Sequence, residues 1–271
     1  MTTLRPLIYG RGYIGRALQS ALGGSFGRAR IEDQATVRSE LQALGSGLVI
    51  NAAGITGRPN IDSLERDPEG CYRANVLGPA VLAEECRRAG AHLVHIGSGC
   101  IFEGGPIDES SSPNPRSTYA RSKAAADAAL LTMPSVAVVR IRMPIGPRPD
   151  PRNLIDKLVA YTRVMGDEPN SVTVLADLAL AVRWVAESRG AGAYHAVNEG
   201  PVTHRQILDL YRRHVDANHH NEWLTKAELS EITAAPRSNA VLLNTRMPPL
   251  RNALAAIEDC MRERARPVAA Q

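Results

Sequence analysis

The most constraining stretch of the sequence lies near its start. An apolar run over residues 4–9 is broken by Gly10-Arg11-Gly12-Tyr13-Ile14-Gly15, and Ile14, Leu18 and Leu22 then recur at helical spacing. In the order strand, glycine turn, helix, a G-x-G-x-x-G pattern lets the backbone approach a pyrophosphate whose charge sits at the helix N-terminus. The alternative is a glycine-rich helix start with no ligand. Its place as the first strand-helix unit favours a dinucleotide-binding fold, with Gly10, Gly12 and Gly15 against the cofactor.

The chain continues in alternation. Residues 47–51 read as a buried strand followed by Asn51-Ala52-Ala53-Gly54, small residues that let an adenosine pack against the backbone. A helix is expected over 71–88 and a strand over 93–96, ending in Gly97-Ser98-Gly99-Cys100-Ile101-Phe102. A Pro/Ser-rich loop, a helix from Tyr119 and a strand over 136–141 follow. Such alternation predicts an α/β fold, a Rossmann-like doubly wound parallel sheet, over residues 1–145. After Met143-Pro144 the rhythm changes: helices over 153–164, 177–187 and 203–214, and short strands over 172–175 and 194–197. Residues 146–261 are read as a smaller, mainly substrate-binding C-terminal lobe, and 262–271 as a frayed tail.

Ligands of an open α/β sheet sit beyond the carboxyl ends of the strands, where Ser98 and Cys100 fall. Ser117-Thr-Tyr119-Ala-Arg-Ser-Lys123 places a phenol and an ammonium on one helix face. A cation beside a phenol favours its phenolate and makes the proton available to a carbonyl oxygen. After the second strand, where an acid usually holds ribose hydroxyls, stand Arg28 and Arg30, with Arg11 in the glycine turn. Arginines there suit the 2′-phosphate of NADPH, while Glu32 and Asp33 nearby would suit NADH.

Of 271 residues, 32 are Lys or Arg and 28 Asp or Glu, a net charge of +4 with no basic block, so no nucleic-acid partner is expected. Cys71, Cys86, Cys100 and Cys260 have neither metal nor disulfide spacing, and the His residues form no metal set. No apolar run reaches membrane-spanning length and no signal-peptide pattern opens the chain, so a cytoplasmic protein without a membrane partner is expected.

The glycine turn, Asn51-Ala-Ala-Gly54, Asn75, Ser98 and the Tyr119/Lys123 pair stand in the order of the extended short-chain dehydrogenase/reductases. More specifically, the chain resembles the bifunctional 3,5-epimerase/4-keto-reductases that complete UDP-rhamnose synthesis in plants. It is similar, more distantly, to the dTDP-4-dehydrorhamnose reductases. Gly54-Ile-Thr-Gly-Arg-Pro-Asn60, Gly99-Cys-Ile-Phe-Glu103, Arg140-Ile-Arg-Met-Pro144, Pro151-Arg-Asn-Leu-Ile-Asp-Lys157, Ser171-Val-Thr-Val-Leu175 and Ala235-Pro-Arg-Ser-Asn239 carry the match. The glycine turn is one residue shorter than the family's Gly-x-x-Gly-x-x-Gly, and the loop from Phe102 to Tyr119 is shorter than in the plant enzymes.

The resemblance implies reduction of a sugar C4 ketone by NADPH, NAD being the alternative. Tyr119 would deliver the proton, Ser98 hold the carbonyl, and Lys123 lower the Tyr119 pKa and hold the nicotinamide ribose. It assigns the acid–base inversion at C3 and C5 to Cys100 and Lys157, with Lys157 supplying the charge that activates the thiol. Gly10, Arg11, Gly12, Tyr13, Ile14, Gly15, Arg28, Asn51, Ala52, Ala53, Met143 and Pro144, with Tyr119 and Lys123, are the implied cofactor contacts. Thr56, Arg58, Asn60, Ile101, Phe102, Asn153, Arg237 and Asn239, with Cys100 and Lys157, are the implied contacts to a UDP- or dTDP-linked sugar. Where dehydratases of the family carry an acidic pair, this chain has Gly99-Cys100, so a separate 4,6-dehydratase would supply the substrate. A homodimer is the family expectation. The weighed alternatives are a reductase acting on dTDP-4-dehydrorhamnose alone and a non-catalytic NADP-binding regulatory subunit of methionine adenosyltransferase.

Overall fold

The computed structural model describes residues 5–45 and 47–266; Leu4 of the first apolar run and residues 267–271 of the expected tail lie outside them. The first half runs β1 (Leu7–Tyr9), α1 (Tyr13–Leu22), β2 (Ser25–Phe26), α2 (Gln34–Leu44), β3 (Leu48–Asn51), α3 (Pro68–Tyr72), α4 (Gly78–Arg88), β4 (His92–Ser98), β5 (Gly104–Ile107), α5 (Thr118–Leu130) and β6 (Val136–Ile141). The second half runs β7 (Pro144–Ile145), α6 (Leu154–Ala160), β8 (Arg163–Met165), β9 (Thr173–Val174), α7 (Leu175–Glu187), β10 (Gly192–His195), α8 (His204–His214), β11 (Glu222–Leu224), α9 (Lys226–Ile232), β12 (Ala240–Leu242) and α10 (Ala253–Arg264).

Continuous apolar runs are the signature of strands buried on both faces, and side-chain alternation divides them between two cores. Ile8, Ile50, Val94 and Val139 point to one, filled by Leu18 and Leu22 of α1 and Leu178, Val182 and Val185 of α7. Leu7, Val49, Leu93 and Val138 point to the other, filled by Val37 and Leu41 of α2 and Leu82 and Cys86 of α4. The six-stranded sheet has the order β10-β6-β4-β3-β1-β2, with every pairing parallel. The doubly wound sheet is therefore the one expected. Its order reverses at β1, which lies between β2 and β3, so the ligand crevice opens beyond the carboxyl ends of β1 and β3.

Short parallel pairs, β7 with β9, β8 with β11 and β5 with β12, are built from the later segments and the loop after β4. They accompany a separate core in which Ile145, Ile155, Leu158, Val174, Ile207 and Ile257 meet. The helix expected over 153–164 stops at Ala160, because Tyr161 turns extended and Arg163–Met165 finds a strand partner in Glu222–Leu224. The helix expected over 71–88 contains a π turn over Arg73–Leu77. The tail expected from residue 262 is instead helical through Arg264: Asn252 caps α10, which buries Ile257, Cys260 and Met261.

α5 is fastened to the sheet by a buried ion pair, Arg140 Nε to Asp127 Oδ2 at 2.8 Å, with side chains 3% and 2% exposed. Asp127→Ala would leave the guanidinium buried without a counter-charge. It is expected to cost about 3–5 kcal/mol in urea unfolding; a loss below about 1 kcal/mol, typical of an exposed pair, would show that the pair does not hold α5.

Candidate active site

The glycine turn and the β3 end form one close contact. Gly10 has φ +95°, and a Cβ there would lie 2.4 Å from the Ala52 carbonyl carbon; one on Gly15 would lie 1.8 Å from Gly10 O. These two glycines are required by the approach of the chain to itself. Gly12 differs: a Cβ there meets nothing within 4 Å, and Gly12 caps α1 without a side-chain bond or an acid in the first turn. The N-terminal amides of α1 are thus open to an anion. Glu40 accepts from the Arg28 and Ala29 amides at 2.8 and 3.1 Å, leaving the Arg28 side chain exposed. Arg11 is exposed beside Phe26, with its guanidinium 5.6 Å from the ring centre. Glu32 pairs with Arg30, and Asp33 caps α2 through the Thr36 amide, so both acids near the ribose position have other work. A phosphorylated dinucleotide fits this cradle.

Several expected cofactor contacts have other duties. Asn51 is fully buried: it accepts from the Ala53 amide at 2.9 Å and faces His95 Nδ1 at 3.0 Å, so it shapes the β3 turn from below. The Tyr13 hydroxyl is buried without a partner against Gly146, and Ile14 packs on the core. Met143, in a left-handed conformation at φ +43°, packs on the second-lobe core beside Pro144, which pairs with Thr173.

β4 ends in Ser98 because a tight turn over Gly99–Ile101 follows, with the Ser98 hydroxyl capping the Cys100 amide at 3.2 Å. α5 starts at a Ser117 cap, which brings Tyr119 toward Ser98 and Cys100. Burial raises the Tyr119 phenol well above its ordinary range, the Cys100 charge adds to this, and hydrogen bonding to Ser98 opposes it. The expected activation by Lys123 is not what the structure shows. Lys123 Nζ turns under the strand to His95 Nε2 and Ile96 O, both at 3.2 Å. Burial lowers the Lys123 ammonium, against Asp127, Cys100 and Cys71. In this arrangement Tyr119 holds its proton at neutral pH, the form a proton donor requires.

Cys100 departs from Cys86 and Cys260. Burial pushes Cys86 and Cys260 up to about 12. At Cys100 burial acts the same way, but the Arg142 charge and hydrogen bonds from Ser98, Ser238 and Arg142 outweigh it and lower the thiol. Arg142 Nη1 lies 2.9 Å from Sγ. The cation in contact with the thiol is therefore Arg142, where Lys157 was expected. Lys157, half-buried on α6, interacts with the Cys100 charge, and burial foremost lowers its ammonium.

The remaining candidates divide. Asn239 is 7% exposed, accepts from Asn170 at 2.9 Å, and leaves a buried Nδ2 without a partner at a cavity of about 210 Å³ that Arg116, Lys226 and Arg237 also line. Arg237 is tied to Asp62 at 2.7 and 2.8 Å, which lowers the Asp62 carboxyl. Arg58 is exposed, Asn60 caps the turn over Ile61–Glu65, and Thr56 accepts from Arg152. Three expected substrate contacts have their side chains engaged elsewhere. Ile101 and Phe102 are core residues, Phe102 lying against His195 and the Arg140 guanidinium. Asn153 is fully buried, capping α6 and donating to Gly146 O and Arg148 O. Sequence reasoning missed Arg142, Ser238 and His95; for His95 and Arg142 a charged or polar residue inside or directly after an apolar strand was the available signal, and Ser238, in the loop before β12, offered none.

Comparison with known proteins shows the family and the fold. Residues 7–250 match the family model described as the RmlD substrate binding domain, and the chain belongs to that family. It is 35% identical over 265 residues to the bifunctional dTDP-4-dehydrorhamnose 3,5-epimerase/dTDP-4-dehydrorhamnose reductase of Arabidopsis thaliana, covering 90% of this chain and 88% of that protein. A trifunctional UDP-glucose 4,6-dehydratase/3,5-epimerase/reductase of the same plant is 34% identical, and this chain covers 38% of its length. The crystal structure of the UDP-rhamnose synthase of Acanthamoeba polyphaga mimivirus superposes with a TM-score of 0.89 at 29% identity, covering 96% and 99% of the two chains. A dTDP-4-dehydrorhamnose reductase of Bacillus anthracis, at 21% identity and a TM-score of 0.84, shares the fold.

Proposed function

We propose that the chain is a nucleotide-sugar 3,5-epimerase and NADPH-dependent 4-keto-reductase that converts UDP-4-keto-6-deoxy-D-glucose to UDP-L-rhamnose. Family membership supports oxidoreductase or isomerase chemistry on a nucleotide sugar; the finer reading rests on one observation. Two acid–base groups of opposite tendency meet at the β4 end: Tyr119, whose phenol is raised, and Cys100, whose thiol is lowered. A ketone acidifies its neighbouring C–H bonds, and a thiolate is a competent base for them. Cys100 takes the proton from C3 or C5, and Lys157, whose ammonium gives up its proton more readily than usual, returns one from the other side. NADPH, when bound, supplies the hydride that reduces C4. Tyr119 delivers the proton to the developing C4 alkoxide, with Ser98 orienting both oxygens.

The α1 amides, Gly12, Arg11 and Arg28 are the groups that would hold the cofactor, and Arg116, Lys226 and Asn239 those that would hold the nucleotide. With Gly99-Cys100 in place of an acidic pair, a separate dehydratase is proposed to make the 4-keto sugar. A homodimer is proposed on family grounds.

Incubation of the purified protein with UDP-4-keto-6-deoxy-glucose and NADPH is expected to yield UDP-L-rhamnose by NMR, with NADPH consumed one for one. Turnover confined to dTDP-4-dehydrorhamnose already inverted elsewhere would reduce the activity to that of a reductase. Binding of NADPH without turnover of either sugar would reject both enzymes.

A further inference from the structure

Arg142 is a buried guanidinium whose partners do not balance its charge. It directly follows β6 and is 2% exposed. Its nitrogens go to Cys100 Sγ at 2.9 Å, the Ser238 hydroxyl at 3.0 Å, the Ser238 carbonyl and Asn170 Oδ1 at 2.7 Å, while Nε has no partner. None of these is a carboxylate. Several other arginines with buried or half-buried contacts end on one: Arg140 on Asp127, Arg237 on Asp62, Arg251 on Asp177, Arg264 on Asp156. A buried charge without a counter-charge is costly, and the ionisable group among the Arg142 partners is the Cys100 thiol.

We infer that Arg142 is the counter-ion that keeps Cys100 a thiolate in the resting site and fixes the position of its sulfur, which makes Arg142 a positioning residue for proton abstraction. The catalytic part of this rests on Cys100 acting as the base proposed above. Asn170 and Ser238 aim the guanidinium, and Asn170 is in turn held by Asn239 at the neighbouring cavity.

The other groups facing the sulfur do not replace it. Ser98 and Ser238 carry no charge, Tyr119 is neutral, and Lys123 is committed to His95 and Ile96 O. Lys157 interacts with the same charge, but its own ammonium is lowered by burial and by Arg152. A thiol whose folded-state pKa is lowered gains its proton only as the pH falls through that lower value, so the base is lost on the acid side. Arginine stays protonated throughout, and the step moves one proton from carbon to sulfur.

The ultraviolet thiolate absorbance of the full chain, wild type minus Cys100→Ser, measures this without turnover. The wild type is expected to titrate below the ~8.5 of a free thiol. Arg142→Gln is expected to raise the midpoint by at least about one unit, roughly a tenfold loss of thiolate near neutral pH, and Arg142→Lys by less. Ser238→Ala, which spares the guanidinium, is expected to move it less than Arg142→Gln; an equal or larger shift would assign the effect to the hydroxyl and overturn the inference. A wild-type midpoint at or above about 8.5 overturns it without any Arg142 variant, should Arg142→Gln fail to fold. A low midpoint in a protein that does not epimerise would reject the proposed function and keep the counter-ion. An ordinary midpoint in an active epimerase would do the reverse.

Discussion

Tyr119→Phe is expected to slow reduction of the C4 ketone by about 10²–10⁴-fold, the range that a positioned general acid contributes. The change removes one oxygen and keeps the ring, and the Tyr119 carbonyl still accepts the Ser122 hydroxyl at 2.8 Å. The loss should therefore appear in kcat, with KM for NADPH little changed. Inversion at C3 and C5 should continue, since the phenol is not its base. Steady-state oxidation of NADPH measures the first effect and NMR of the sugar the second. A loss of reduction smaller than about tenfold would place the proton donor elsewhere, because a missing general acid costs more than that.

Cys100→Ala separates the two activities the other way. Epimerisation is expected to fall by at least about 10²-fold, as for loss of a general base, while reduction of a sugar already inverted at C3 and C5 continues. Cys100 is only half-buried and Arg142 retains Ser238 and Asn170, but the substitution removes the counter-charge of the guanidinium, so urea unfolding of the variant accompanies its activities. Equal losses of both activities would mean that the thiol serves a step common to them. Unchanged epimerisation would remove Cys100 from the mechanism.

The frame of the fold was legible because both of its causes are written locally. Runs such as residues 136–141, buried on two faces, are the mark of a parallel sheet covered by helices, and the turn at Gly10 and Gly15 is demanded by the Gly10 carbonyl and by Ala52 at the end of the neighbouring strand. The position of Ser98 and Cys100 beyond a strand end follows from the same logic. Side-chain direction was not legible. Ile101 and Phe102 share the loop of Cys100 yet point into a core with Leu242, and Asn153 and Asn51 spend their amides on their own turns. Lys123 stands one helical turn from Tyr119 but reaches down to His95, because a buried amine goes where a carbonyl and an imidazole accept it. The partner of Cys100 was the least accessible, since Arg142 arrives from β6, 42 residues later, and only tertiary pairing brings it there. The strand over Arg163–Met165 was missed for the same reason: its partner Glu222–Leu224 is far along the chain.

The most direct measurement is deuterium exchange into UDP-4-keto-6-deoxy-glucose in D₂O without NADPH, followed by NMR, for wild type and Cys100→Ala. Omitting the cofactor isolates proton transfer at carbon from reduction. The expected result is exchange at C3 and C5 by the wild type and none above background by Cys100→Ala. Absence of exchange with the wild type, or equal exchange with both proteins, would contradict a Cys100-based epimerase.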